Sequence, residues 1–253
     1  EYNSAASDSY EDEKVKVVIG YTSSGNCLAV APVADELKTL TIFHVCANYR
    51  LIDKGVHKYV IRTAAHAASE NVAAARYVLA LHPDLKTIAG MNYDYAYGRD
   101  AWDVFKRTIL KLKPDVKVVG ELWTKFLATE YSSEISRLLA LKPDVIHTVN
   151  WGAGLTSFIN QAETRGLFEQ SLVVMTTGLL NQAAMAPKGV AFSGRGYNPQ
   201  YPDPHTDAAN RAYLTSYKAK FNSLPDYQGT FMAQAFYGLK AAVEKAAKAK
   251  NGA

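Results

Sequence analysis

The chain has 253 residues, of which 48% are hydrophobic and 21% charged, with a formal net charge of +4. That balance is ordinary for a globular protein and too mild to mark a nucleic-acid partner. No apolar run approaches the ~18 residues a membrane helix needs. The opening EYNSAASDSYEDEK has neither the basic start nor the apolar stretch of a signal peptide, so the expectation is a chain that is not membrane-embedded and is either cytosolic or already processed.

After a ragged start over 1–14, strand and helix patterns alternate. Val15–Ile19 is a β-branched run ending at Gly20, followed by a Ser/Gly loop, a helix over Ala29–Leu37, a strand over Leu40–Val45 and a short strand over Tyr59–Arg62. Ala67–Leu81 is a helix, Thr87–Met91 a strand, Gly98–Lys113 a helix, Val116–Leu122 a strand and Ser132–Leu141 a helix. Val145–Val149 is a strand, Leu155–Gly166 a helix, and Leu172–Met175 and Val190–Ser193 strands; helices over Asp207–Phe221 and Phe231–Lys248 close the chain. Such alternation predicts α/β architecture, with parallel sheets flanked by helices and right-handed crossovers. Lys113-Pro114-Asp115 and Lys142-Pro143-Asp144, with His82-Pro83-Asp84 as a near match, each follow a helix and precede a strand. Proline stops the helix there, so these triplets are structural punctuation. Lys106, Arg107, Lys111 and Lys113 fall at helical spacing beside Ile109 and Leu110 and read as a solvated helix face.

In parallel sheets, ligands bind beyond the carboxyl ends of the strands, so the loops that follow each strand carry the function. Tyr21 to Asn26 joins a strand to a helix start, offering hydroxyls and amides to an anion. His44 to Tyr49 follows the second strand. Asn92 to Asp100 contains Tyr93, Tyr95 and Tyr97, three alternating tyrosines that should stack on something. Asn150 to Gly154 sets Trp151 among small residues, and Thr176-Thr177-Gly178 follows the next strand. Together they offer aromatic walls and a few hydrogen-bonding groups, as a small-molecule site does.

Chemistry is not visible in the same loops. Gly-x-Ser-x-Gly, Gly-x-Gly-x-x-Gly, the Walker lysine and metal-spaced histidines are absent from the sequence. Glu121 and Glu130 have no spacing that would pair them as acid and base. Neither catalytic residues nor a cofactor are expected. Cys27 and Cys46 read as two buried thiols, with a single disulfide as the alternative. His44 shares a strand face with Cys46 without making a dyad of it.

The order of these segments over residues 15–245 resembles the Leu/Ile/Val-binding family of periplasmic receptors, the type I solute-binding proteins of ABC transporters. Val17-Val18-Ile19-Gly20 with its Ser-rich turn is similar to the family's third strand and ligand-carboxylate loop. Tyr59 to Ala64 resembles its "x-R-T" segment, Tyr97-Gly98 its "YG" helix start, and Ile135 to Leu167 the core of its second lobe. The resemblance implies a two-lobed fold, with a first lobe over 1–64 that looks incomplete, a second over 65–222 and a return to the first over 223–253. It also implies an extracytoplasmic, periplasmic monomer that closes by a hinge over a small ligand and delivers it to a transporter permease.

By the same resemblance Ser23 and Ser24 fall on the carboxylate loop, and Cys46, Ala47 and Asn48 on the small loop that offers backbone groups. Tyr97 and Trp151 fall on opposite walls, and Thr177 falls where amino-acid-binding members keep an acid for the ligand ammonium. A threonine there favours a carboxylate with an apolar or aromatic body over an amino acid, with Asp94 as a substitute acid. The alternatives are a ligand-sensing domain of a regulator or receptor, or a doubly wound enzyme.

Overall fold

The computed structural model describes residues 15–53, 57–192 and 208–251. The start over 1–14, Ser193 of the expected strand and Asp207 of the expected helix lie outside them. The chain divides into two compact units, Glu1–Ala65 with Tyr197–Ala253 and His66–Gly196. Both have the expected α/β build.

The first unit opens with β1 (Val17–Gly20), α1 (Ser24–Glu36), β2 (Leu40–Phe43), the single turn α2 (Arg50–Asp53) and β3 (Val60–Arg62). The strands form a parallel sheet in the order β1-β2-β3, so that among the described strands β1 is an edge paired with β2 alone. The helix begins at Ser24, five residues before the expected Ala29, because the polar Ser-Gly-Asn stretch forms its first turn and hides the apolar period. Its inner face buries Cys27, Val30, Ala31 and Ala34 against Phe43, Cys46 and Leu51.

Cys27 and Cys46 are joined in a disulfide, with Cα atoms 6.3 Å apart and both residues fully buried. The reading of two buried thiols is therefore corrected. Residue 27 lies on the inner face of α1 and residue 46 just past β2, and one small core brings them together. Closing a loop of 19 residues in this way stabilises by about 3 kcal/mol.

The second unit runs α3 (Ala67–Leu81), β4 (Thr87–Tyr93), α4 (Ala96–Leu112), β5 (Lys117–Thr124), α5 (Ser132–Leu141), β6 (Val145–Thr148), α6 (Gly152–Thr164), α7 (Leu167–Gln170), β7 (Leu172–Met175), α8 (Leu180–Met185) and β8 (Val190–Phe192). Its five strands are parallel, in the order β5-β4-β6-β7-β8. Alternation along each strand feeds two cores. Ala89, Met91, Ile146, Val173 and Met175 face Ile135, Leu138, Phe158 and Ile159 of α5 and α6. Ile88, Val145 and Val174 face Ala74, Val78, Trp102, Phe105 and Ile109 of α3 and α4. Tyr97, Ala101, Phe105 and Ile109 repeat every fourth residue and so form the buried stripe of α4. Each large ring buried here contributes about 1.5–3 kcal/mol.

The punctuation triplets have a second use. The Asp144 carboxylate accepts the amides of Lys86 and Thr87 at 2.9 and 2.8 Å, and its own amide donates to Thr87 Oγ1 at 2.9 Å. Desolvation acts to raise the pKa of Asp144, but these hydrogen bonds outweigh it and hold the group below the usual carboxylate range. The turn after α5 is thereby stitched to the start of β4.

His147 is a polar residue at the second core. It is fully buried and stacks on Phe105 at 4.4 Å, and one ring nitrogen (Nε2) lies 2.8 Å from Asn71 Oδ1. Burial pushes its pKa down to about 3, so the ring is neutral.

The chain closes with α9 (Ala208–Phe221) and α10 (Tyr227–Asn251), which belong to the first unit. The sequence reading placed residues up to 222 with the second lobe. Instead α9 groups with α10: Tyr213 and Tyr217 lie against Gly229, and the Tyr237 hydroxyl donates to the Ala209 carbonyl at 3.4 Å. Among the described residues no helix is long and apolar enough to cross a membrane.

Candidate functional site

In the first unit the loops after β1 and β2 meet at the N-terminus of α1. Tyr21, at φ 68°, turns the chain sharply out of β1. Ser23 is the N-cap of α1 and makes no side-chain cap bond there. The buried Ser24 Oγ accepts the amides of both Ala47 and Asn48 at 3.2 Å, so this hydroxyl keeps its own proton to donate. Cys46 is fixed by the disulfide.

Asn48 is fully buried, and neither its side-chain nitrogen nor its oxygen has a partner among the described residues. Its carbonyl accepts Arg62 Nη1 at 2.7 Å, which gives the Arg-Thr segment a structural purpose. Unpaired groups of this kind, beside the first amides of a 13-residue helix, make a polar spot in the first unit. His44 is taken up elsewhere, with Nδ1 2.9 Å from the Gly20 carbonyl and burial lowering its pKa.

In the second unit the loops after β4, β5 and β6 gather rings. Phe126 lies 4.8 Å from Tyr95, 5.6 Å from Tyr93 and 5.7 Å from Trp151, centroid to centroid. Trp151 Nε1 donates to the Tyr95 hydroxyl at 2.8 Å, and the Tyr93 hydroxyl donates to the Trp151 carbonyl at 3.3 Å. Trp151 and Tyr95 stay partly open and Phe126 is 36% exposed, so aromatic surface remains free at the strand ends. The sequence reading named Trp151 and the tyrosines but missed Phe126. The signal was an aromatic just past the end of a strand, at Lys125-Phe126-Leu127.

Two residues expected at the site, Tyr97 and Thr177, are buried and hydrogen-bonded within the second unit. Tyr97 is 1% exposed and its hydroxyl donates to Glu70 Oε2 at 2.8 Å. Gly98 follows it because a Cβ there would collide with the Tyr93 carbonyl, so the Tyr-Gly pair is a packing signature of the helix start. Thr177, 1% exposed, donates its hydroxyl to the Asn150 carbonyl at 2.6 Å.

The acids near these loops are already committed. Asp94 is paired with Arg99 at 2.7 Å, and that guanidinium lies 3.7 Å over the ring of Trp123. Glu130 accepts the amides of Tyr131 and Ser132, which with the Ser132 hydroxyl lower its pKa. Glu121 is desolvated, yet its hydrogen bond to Lys106 prevails and also holds it low. The two glutamates thus serve separate purposes, one capping α5 and one paired across to α4. Among the described residues no group of three or more His, Cys, Asp or Glu could hold a metal. A groove of about 680 Å³ lined by Val72, Arg76, Val104 and Arg107 lies on α3 and α4, off the strand ends where parallel sheets take their ligands.

The family model described as periplasmic binding protein matches residues 1–253. Among solved structures, the chain is similar to an ABC transporter solute-binding protein from R. palustris in complex with benzoate, at 21% identity and a TM-score of 0.78, covering 92% of this chain and 62% of that one. A solute-binding protein from Rhodopseudomonas palustris BisB5 in complex with 3,4-dihydroxybenzoic acid matches at 20% identity and 0.78, over 95% of this chain and 65% of that one. A leucine-binding protein from Thermotoga maritima MSB8 matches at 19% identity and 0.80, over 96% and 68%. A search of curated proteins finds no significant match. The chain therefore spans somewhat under two thirds of the length of the first two structures, and it belongs to the periplasmic binding protein family.

Proposed function

We propose that this chain is an extracytoplasmic solute-binding component of an ABC transporter, and that its ligand is a carboxylate with a ring-bearing apolar body. The observation that carries the choice of ligand is how the strand ends are spent. The acid at the end of β4, Asp94, is neutralised by Arg99, and Thr177 gives its proton to Asn150, while the surface of Phe126, Tyr95 and Trp151 stays open. A buried ammonium without an acid is expensive, whereas a ring gains from stacking. Within unit one, the Ser24 hydroxyl proton, the Asn48 side-chain amide and the α1 dipole suit a carboxylate. Two of the similar structures hold benzoates, which agrees with this reading, and one is a leucine-binding protein. The disulfide accords with an oxidising compartment. The partners in this reading are the small ligand and the transporter's permease, with the protein acting as a monomer.

The test is a thermal-shift and calorimetry series with benzoate, 3-methylbutanoate and leucine. Benzoate at ~100 times its dissociation constant stabilises by about 2.7 kcal/mol and raises the melting temperature. Ser24→Ala weakens it by about 1–3 kcal/mol through the lost charge-assisted hydrogen bond. A leucine response larger than the benzoate response refutes the ligand class, and no response to any acid refutes the binding reading.

A further inference from the structure

The loop over 125–131 carries Phe126 at its outer end and Tyr131 in the core. Phe126 and Leu127 are exposed at 36% and 49%, and Leu127 sits at φ 59°, a left-handed conformation that a bulky residue adopts at a cost of about 1–2 kcal/mol. Such strain persists only where the surroundings over-determine it. Here the surroundings are α6. The hydroxyls of Tyr131 and Tyr93 lie 3.3 Å apart, both residues are fully buried, and Tyr131 donates to the Ala128 carbonyl at 2.7 Å. Asn150 Nδ2 donates to the same Tyr131 oxygen at 3.3 Å. Gln161 of α6 grips the loop twice: its Oε1 accepts the Tyr131 amide and its Nε2 donates to the Thr129 carbonyl, both at 2.9 Å.

All of this converges on Gly154, in the first turn of α6. A Cβ there would collide with the Tyr93 hydroxyl and the Ala128 carbonyl and would lie 2.9 Å from the Tyr131 hydroxyl. Glycine is needed so that the two phenols and the loop backbone can close on the helix.

We propose that Gly154, Tyr131 and Gln161 form a latch that fixes the 125–131 loop on α6, and that the latch, by holding Phe126 against Tyr95 and Trp151, sets a preference for ring-bearing over aliphatic carboxylates. The ligand half rests on the proposed function; the mechanical half does not. Tyr131 is a positioning residue in this scheme, touching the loop rather than the ligand.

Tyr131→Phe keeps the ring that packs edge-on to Phe158 at 5.6 Å and removes only the hydroxyl. Gly154→Ala forces the latch open. Hydrogen exchange on the ligand-free protein reads the mechanical half: in Tyr131→Phe the amides of 126–131 exchange at least about tenfold faster, while those of β4 and β6 are unchanged. Calorimetry with benzoate and 3-methylbutanoate reads the other half. The ratio of the two affinities falls by about tenfold in both variants, with the aliphatic acid bound as before.

Unchanged loop exchange in Tyr131→Phe overturns the latch even if Gly154→Ala fails to fold. Faster exchange with an unchanged ratio overturns its role in selectivity. A wild-type protein that binds neither acid refutes the proposed function, and the exchange result then decides the latch alone.

Discussion

The two units solve the same architectural problem with different resources. The second covers both faces of a five-stranded sheet with helices and fills two separate cores with large side chains, among them Trp102, Phe105 and Phe158. The first has a three-stranded sheet and a core whose α1 side is made of Cys27, Val30, Ala31 and Ala34. Small side chains bury little area, and a covalent cross-link substitutes for the missing packing. The difference teaches that cores of unequal size are held by unequal means, one by shape-filling and one by chain constraint.

That contrast can be broken from either side. The largest effect is expected from Phe105→Ala, which empties a fully buried ring site between α4 and His147 and lowers the stability of the second unit by about 3–5 kcal/mol. Chemical denaturation followed at Trp102 registers it, with exchange of the α1 and β2 amides unaffected. Removing the disulfide with Cys27→Ala and Cys46→Ala together costs the first unit about 3 kcal/mol. Exchange confined to residues 15–65 is the expected signature, and acceleration spread evenly through both units contradicts the contrast.

A third, smaller effect depends on pH. His147 is neutral in the folded second unit with a pKa near 3, whereas the unfolded chain binds the proton near 6.5. The unfolded state therefore holds more protons below pH 6.5, and stability falls as the pH drops through that value. By pH 5 the loss from this residue is about 2 kcal/mol. Urea midpoints at pH 7 and pH 5 measure it. In His147→Leu this component of the pH slope disappears, whatever the variant's baseline stability.

Much of this was legible in the sequence because the chain obeys simple periods. The helices over Ala67–Leu81 and Ser132–Leu141 and the strand over Leu172–Met175 lie where the pattern puts them, each bounded by a cap, a proline or a turn. Helix α1 began early because its first turn is polar, and α8 and the single turn α2 are too short to show a period. The strand-end loops were readable as a class, since parallel sheets place ligands there. Their detailed use was not. That Tyr97 turns inward to Glu70, that Thr177 is spent on Asn150, and that Phe126 joins Tyr93 and Trp151 all depend on contacts between residues 25 to 33 positions apart. A linear pattern contains no such distances. The disulfide lay at the boundary: two cysteines 19 apart were visible, but their meeting needed the fold.

One quieter feature of the first unit bears on how the protein behaves outside its own fold. Strand β1 is an edge among the described strands, and its residues Val17, Val18 and Ile19 are half-buried β-branched side chains. An edge like this is a template for strands of other molecules, the first step toward ordered aggregation. Three things blunt it here: the strand is four residues long, it ends in glycine, and the exposed Lys16 stands immediately before it as a gatekeeper charge. Colloidal behaviour at high concentration thus depends on a short strand, its terminal glycine and one flanking charge.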